Sequence, residues 1–150
     1  MSKQALLKIK LRKTHVNAKL PTKGSLGAAC YDAYVSSITF DNNENVVLGL
    51  GFATEIPAGY KGVIVPRSGF TKVAWVMNNN LGKIDSDYRG EWMMKIKPIN
   101  GRIEENPLPF AVGERCCQIY FEKVLETEFV EVNELSETDR GAGGFGSTGV

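Results

Sequence analysis

Short runs in which apolar and polar residues alternate, each soon interrupted by glycine or proline, recur along this 150-residue chain. A strand points successive side chains to opposite faces, whereas a helix needs an apolar residue every three or four positions, so the period separates the two. Leu7, Ile9 and Leu11 alternate with Lys8, Lys10 and Arg12, and Trp92, Met94 and Ile96 with Met93, Lys95 and Lys97. Val130 and Val132 are interleaved with Phe129, Glu131 and Asn133. Residues 46–48, 62–65 and 118–121 are largely apolar at successive positions, which suits strands covered on both faces. No segment keeps a helical apolar stripe over three turns; the best short helical candidate is residues 71–76. With 16 glycines and 6 prolines to supply turns, the pattern predicts an all-β barrel or sandwich of jelly-roll type.

One domain, residues 1–150, suits this length. The 18 Lys and Arg nearly balance 17 Asp and Glu, which disfavours a dedicated nucleic-acid binder. No apolar run approaches the roughly 20 residues of a membrane-spanning helix. Lysines also interrupt the apolar stretch near the N-terminus, so a signal-peptide core is not expected there. The expected protein is cytoplasmic, with no nucleic-acid or membrane partner. Three cysteines, two of them the neighbours Cys116 and Cys117, and a single histidine, His15, make neither a disulfide framework nor a structural zinc site. Buried free thiols are the expectation.

Five segments carry polar groups in chemically suggestive combinations. In Ala28-Ala29-Cys30-Tyr31-Asp32-Ala33-Tyr34, an acid sits inside an apolar strand and needs a partner or a metal. Pro66-Arg67-Ser68-Gly69 follows an apolar strand with a guanidinium, a hydroxyl and a glycine, the makings of an anion cradle. Gly82-Lys83-Ile84-Asp85-Ser86-Asp87-Tyr88-Arg89-Gly90-Glu91 reads as a hairpin with two acids two residues apart, able to bind a divalent metal or to act as a general base. Gly113-Glu114-Arg115-Cys116-Cys117-Gln118 opens another strand. Last, a glycine-rich stretch from Arg140 to Val150 holds one large apolar residue, Phe145, beside Ser147 and Thr148. It has the composition of a flexible lid that stacks on a ligand and offers donors to phosphate.

Taken in order, these segments resemble the five signature motifs of the trimeric dUTP pyrophosphatases, the dUTPases. The resemblance spans residues 7–150. It implies a distorted jelly-roll β-barrel of short strands, a flexible C-terminal arm from about residue 138, and a homotrimer whose active sites are shared between subunits. It also implies hydrolysis of dUTP to dUMP and pyrophosphate, assisted by Mg²⁺, in nucleotide metabolism that keeps uracil out of DNA. Asp85 would activate the water that attacks the α-phosphorus. Tyr88 would pack under the deoxyribose and exclude ribonucleotides. Asn79 and the backbone of Gly82, Lys83 and Ile84 would read the uracil edge, with Met93 close by. Arg67, Ser68, Gly69 and Gln118 would hold the phosphates, and Asp32 would anchor Mg²⁺ through water. Arg140, Gly146, Ser147 and Thr148 would close over the phosphate chain while Phe145 stacks on the base.

The chain departs from the common pattern at Cys30, where glycine is usual, at Ala33 and Phe70, where leucine is usual, and at Lys83, a usually apolar position. Two other functions fit the same fold. A dCTP deaminase-type or bifunctional relative would need a glutamate at the pyrimidine C4. A nucleotide-sensing regulatory module would keep the pocket and signal to a protein partner.

Overall fold

The computed structural model describes residues 6–144. Ten short strands make up almost all of the regular structure: β1 (Lys10–Lys13), β2 (Tyr31–Tyr34), β3 (Ser37–Phe40), β4 (Val46–Gly49), β5 (Phe52–Glu55), β6 (Tyr60–Pro66), β7 (Trp75–Met77), β8 (Gly82–Ile84), β9 (Met93–Pro98) and β10 (Arg115–Lys123). They form two four-stranded antiparallel sheets, β2-β10-β6-β8 and β3-β4-β9-β7, and a ribbon of β1 with β5. The fold is the expected all-β jelly roll.

The alternation around β9 is realised in the packing. Trp92, Met94 and Ile96 are fully buried, while Met93 and Lys97 face outward. Val46, Leu48 and Leu50 from β4 and its end meet them, and Ile64, Cys117 and Ile119 come from the other sheet. Trp92 is central: its indole N–H donates to Thr54 Oγ1 at 3.1 Å, and its ring lies against Phe52 and Phe121. The ring also rests on Gly62 of β6, where any Cβ would collide with it, so the close approach requires glycine. Removing a buried tryptophan side chain of this kind costs about 3–5 kcal/mol.

Three local expectations change. The helical piece is a 3-10 turn at Ser68–Lys72, earlier than residues 71–76, and Trp75–Met77 is strand. Trp75 and Met77 are buried with Val76 exposed between them, so period two prevails where the apolar cluster is too short for a helix. The alternation at Val130 and Val132 forms no strand: residues 124–138 have no regular structure, and Phe129, Val130 and Leu135 are largely exposed. No neighbouring strand exists for that segment among the described residues, and a strand without a partner is not stable. The thiols of Cys116 and Cys117 are buried as expected, but Cys30 is only partly covered.

One irregularity bears on function. The register of β10 against β2 shifts between Arg115 and Cys117, a β-bulge. It lets both Cys116 and Cys117 point into the core.

Candidate active site

The buried acid of β2 organises one cluster. Asp32 is 5% exposed. Its Oδ1 accepts hydrogen bonds from Arg67 Nε at 3.1 Å and Gln118 Nε2 at 3.2 Å, and its Oδ2 from Arg115 Nη1 at 3.3 Å. Strand pairing explains the convergence: Asp32 lies opposite Gln118, and Gln118 opposite Val65, two residues before Arg67. A buried carboxylate is tolerated because donors fill both oxygens. Ser68 and Gly69 are exposed on the 3-10 turn that follows Arg67, and a Cβ at Gly69 would meet nothing within 4 Å. The turn therefore opens onto free space beside the guanidinium, as an anion cradle needs.

A second cluster lies at the other end of β6. Ile84 pairs with Gly62. Beyond it, Lys83, Ile84, Asp85, Tyr88, Glu91 and Met93 line a recess of about 130 Å³. Asp85 and Tyr88 are both exposed, and the Asp85 carboxylate has no hydrogen-bond or ion-pair partner among the described residues. Asp87 sits in the turn after Asp85, beyond the end of β8. The turn itself is well fastened. The Arg89 guanidinium donates to Ser86 O at 2.7 Å and Tyr88 O at 3.2 Å, and Tyr88 N–H donates to Asp85 O at 3.2 Å. The Tyr88 hydroxyl donates to Glu91 O at 3.3 Å, and its ring lies so close to Gly90 that a Cβ there would overlap it. Glu91 ties the hairpin to the barrel by accepting from Thr14 Oγ1 at 2.7 Å and Gly51 N at 3.2 Å. Arg89 and Glu91 were not among the expected site residues; both act on the hairpin's shape, and their signal was only their place inside the motif.

β8 is an edge strand, paired only with β6 among the described residues. Its outer edge has backbone donors and acceptors to offer a planar ligand. The turn leading into β8 distinguishes the three asparagines. Asn78 is committed, with its N–H on Lys95 O at 2.9 Å and its amide donating to Asn45 Oδ1 at 2.8 Å. Asn80 takes the left-handed conformation, φ 59. Asn79 is exposed, and its side chain has no hydrogen-bond partner among the described residues.

That turn is held from below by Asp41. Its carboxylate accepts from Lys95 Nζ at 2.9 Å and from the Asn45 side chain and backbone at 3.0 Å. The Lys95 ammonium, followed by the Asn45 amide, holds the Asp41 carboxyl well below the usual carboxylate range. Its stabilising effect is therefore full at neutral pH. It begins to fall near pH 4, where the unfolded chain takes up the proton, and is lost once pH drops through the lowered folded-state value. Asn45→Ala, which removes the buried amide that joins the half-buried Asp41 to Asn78, is expected to lower the unfolding free energy by about 1–2 kcal/mol in urea at pH 7. Asp41→Asn is expected to be less stable than the parent at pH 7, with the gap narrowing at pH 3.

Arg140 is exposed, with its Nε donating to Gly143 O at 2.9 Å. Phe145, Gly146, Ser147 and Thr148 lie outside the described residues. The neighbouring Cys116 thiol, then burial, push the Cys117 thiol up, so it stays neutral and is no nucleophile.

No group of three or more His, Cys, Asp or Glu side chains stands ready for a metal among the described residues. Mg²⁺ does not require one: it keeps several waters and usually binds through one or two carboxylates plus substrate phosphates. Asp32 already accepts three hydrogen bonds, from Arg67, Gln118 and Arg115, which leaves one acceptor site on Oδ2. It could take a metal-bound water there, with substrate phosphates as the direct ligands, but could not form part of a protein-built cage.

The sequence model of the dUTPase family matches residues 16–149. The deoxyuridine 5'-triphosphate nucleotidohydrolase of Helicobacter pylori strain P12 is 36% identical over 146 residues, covering 96% of this chain and 98% of that protein. The Nautilia profundicola protein of the same name is 39% identical over 145 residues, covering 95% and 99%. The dUTPase of Staphylococcus bacteriophage 80alpha, solved with dUpNHpp, is similar in structure with a TM-score of 0.79 at 26% identity, over 95% of this chain and 99% of that one.

Proposed function

The chain belongs to the dUTPase family, hydrolases that act on the anhydride bonds of dUTP, and we propose that it turns dUTP into dUMP and pyrophosphate with Asp85 as the general base. The whole chain, residues 1–150, is read as one such domain, with an arm from about residue 138. In this reading Arg67, Ser68, Gly69 and Gln118 take the phosphate chain, and Asn79 with the outer edge of Gly82, Lys83 and Ile84 takes the uracil. Tyr88 lies under the deoxyribose, Met93 bounds the base pocket, and Arg140, Phe145, Gly146, Ser147 and Thr148 close over the nucleotide.

Among the described residues the Asp85 carboxylate is unengaged and has an adjacent recess, as a base that must hold water needs. Arg67 supplies a planar fork of donors to a phosphate, Ser68 a hydroxyl, and Gly69 close backbone approach. Asp32 would hold Mg²⁺ through water, and the ion would supply charge neutralisation to the phosphates. Attack on a triphosphate depends mostly on such positioning and neutralisation, so no covalent nucleophile is needed.

The separation of the two clusters carries the oligomeric part of the proposal. Arg67 and Asp85 flank opposite ends of β6, roughly 15–20 Å apart at about 3.3 Å per residue. A base must reach its proton directly or through one water, so the two halves of a single copy do not serve one α-phosphorus. Another copy has to bring its hairpin to the Arg67 side, as in a homotrimer with shared sites. The exposed Phe129, Val130 and Leu135 add apolar surface that such an assembly would cover.

Pyrophosphate release from dUTP, followed beside light-scattering mass, tests both statements. The expected result is dUMP and pyrophosphate in equal amounts from a particle of three copies. Absence of release would refute the activity, and full turnover by a monomer would refute the shared site. No helix among the described residues is long and apolar enough to cross a membrane, and the cytoplasm is the proposed location.

A further inference from the structure

Arg115 is a side chain to which neither the motifs nor the proposed chemistry gave a role. It stands at the first position of β10, three residues before Gln118. In a regular strand, residues three apart face opposite sides. The bulge between Arg115 and Cys117 adds one residue and cancels that opposition, so Arg115 and Gln118 both reach Asp32. The Arg115 side chain remains 52% exposed and lines an open cavity with Arg67, Tyr34, Phe110, Gly113 and Glu114.

Charge gives this arrangement a purpose. Asp32 holds Arg67 in place, but a carboxylate alone on that guanidinium would make a neutral pair with little pull on a phosphate. Arg115 on the other carboxylate oxygen leaves the hydrogen-bonded group with two positive charges against one negative. The Glu114 carboxylate on the cavity wall, which accepts from Ala111 N–H at 2.8 Å, is offset by Lys19, whose ammonium donates to Gly113 O at 3.0 Å. We propose that Arg115 is a positioning residue of the phosphate site: acting through Asp32, it fixes Arg67 and Gln118 and keeps the cluster net positive toward the triphosphate. The inference rests on the reading that Arg67 and Gln118 bind phosphate. Losing the guanidinium removes a positive charge and also frees an oxygen of Asp32 to compete for Arg67. Both effects weaken anion binding, and neither touches the water-activating group.

The test compares the parent protein with Arg115→Gln and Arg115→Lys in steady-state dUTP hydrolysis at several KCl concentrations. Uncharged deoxyuridine serves as a competitive inhibitor in the same series. For Arg115→Gln, KM for dUTP is expected to rise about tenfold while kcat stays within about threefold, as loss of one nearby charge implies. KM should also depend less steeply on salt than in the parent. The inhibition constant of deoxyuridine should not move, and Arg115→Lys should recover part of the loss. An unchanged KM in Arg115→Gln with an active parent would overturn the inference alone. So would an equal weakening of deoxyuridine, which would mark a general structural defect. A parent that does not hydrolyse dUTP would overturn the functional reading and this inference with it.

Discussion

Asp85→Asn is expected to lower kcat for dUTP by about 10²–10⁴-fold, the usual contribution of a positioned general base. The amide keeps the size and shape of the carboxylate but cannot accept the proton of the attacking water. Because the Asp85 side chain makes no ion pair or hydrogen bond among the described residues, the substitution should leave the turn intact. Arg89 and the Tyr88 backbone hold that turn through main-chain oxygens that do not change. KM should therefore stay near the parent value, and thermal unfolding should be unaltered. A variant that keeps parental kcat would remove Asp85 from the chemistry, whatever the family kinship.

Base selectivity should show the second large effect. A site built to hydrogen-bond its substrate rejects a mismatched polar edge by up to about 10⁴–10⁵ in kcat/KM, because its own buried groups are left unpaired. Uracil and cytosine differ in donor and acceptor at position 4, so dCTP is expected to react slower than dUTP by about that ratio. Asn79→Ala should narrow it, since the Asn78 amide is already bonded to Asn45 and Asn80 is committed to the left-handed turn conformation. Rejection of thymine is expected to rest on shape at Met93 and Ile84, and shape alone discriminates less steeply. Pyrophosphate release from dUTP, dCTP, dTTP and UTP by the parent and Asn79→Ala measures both; equal turnover of dUTP and dCTP by the parent would refute the reading of β8 as a base-reading edge.

Much of this was legible in the sequence, for a physical reason. Where one face of a strand is buried and the other wet, as at Trp92, Met94 and Ile96, the period appears directly in the residues. Asp32 stood out because an acid in an apolar strand is expensive without a partner. Its partners could not be read: Arg67, Arg115 and Gln118 lie 35, 83 and 86 residues away and meet it only through sheet register. The bulge was equally hidden, although the adjacent Cys116 and Cys117, both apolar in character, were its trace. Residues 71–76 read as a helical turn because the cluster is too short for its period to be decided locally. The alternation at Val130 and Val132 misled for the opposite reason. The pattern is that of a strand, but pairing needs a second edge, and a lone sequence says nothing about where that edge comes from.

The unpaired stretch after β10 also bears on how the protein behaves on dilution. A separated copy would keep oily side chains such as Phe129 and Leu135 in water. Association that shelters them lowers the free energy of the native state by mass action. The unfolding midpoint should then climb with protein concentration, and very dilute stocks should lose integrity first.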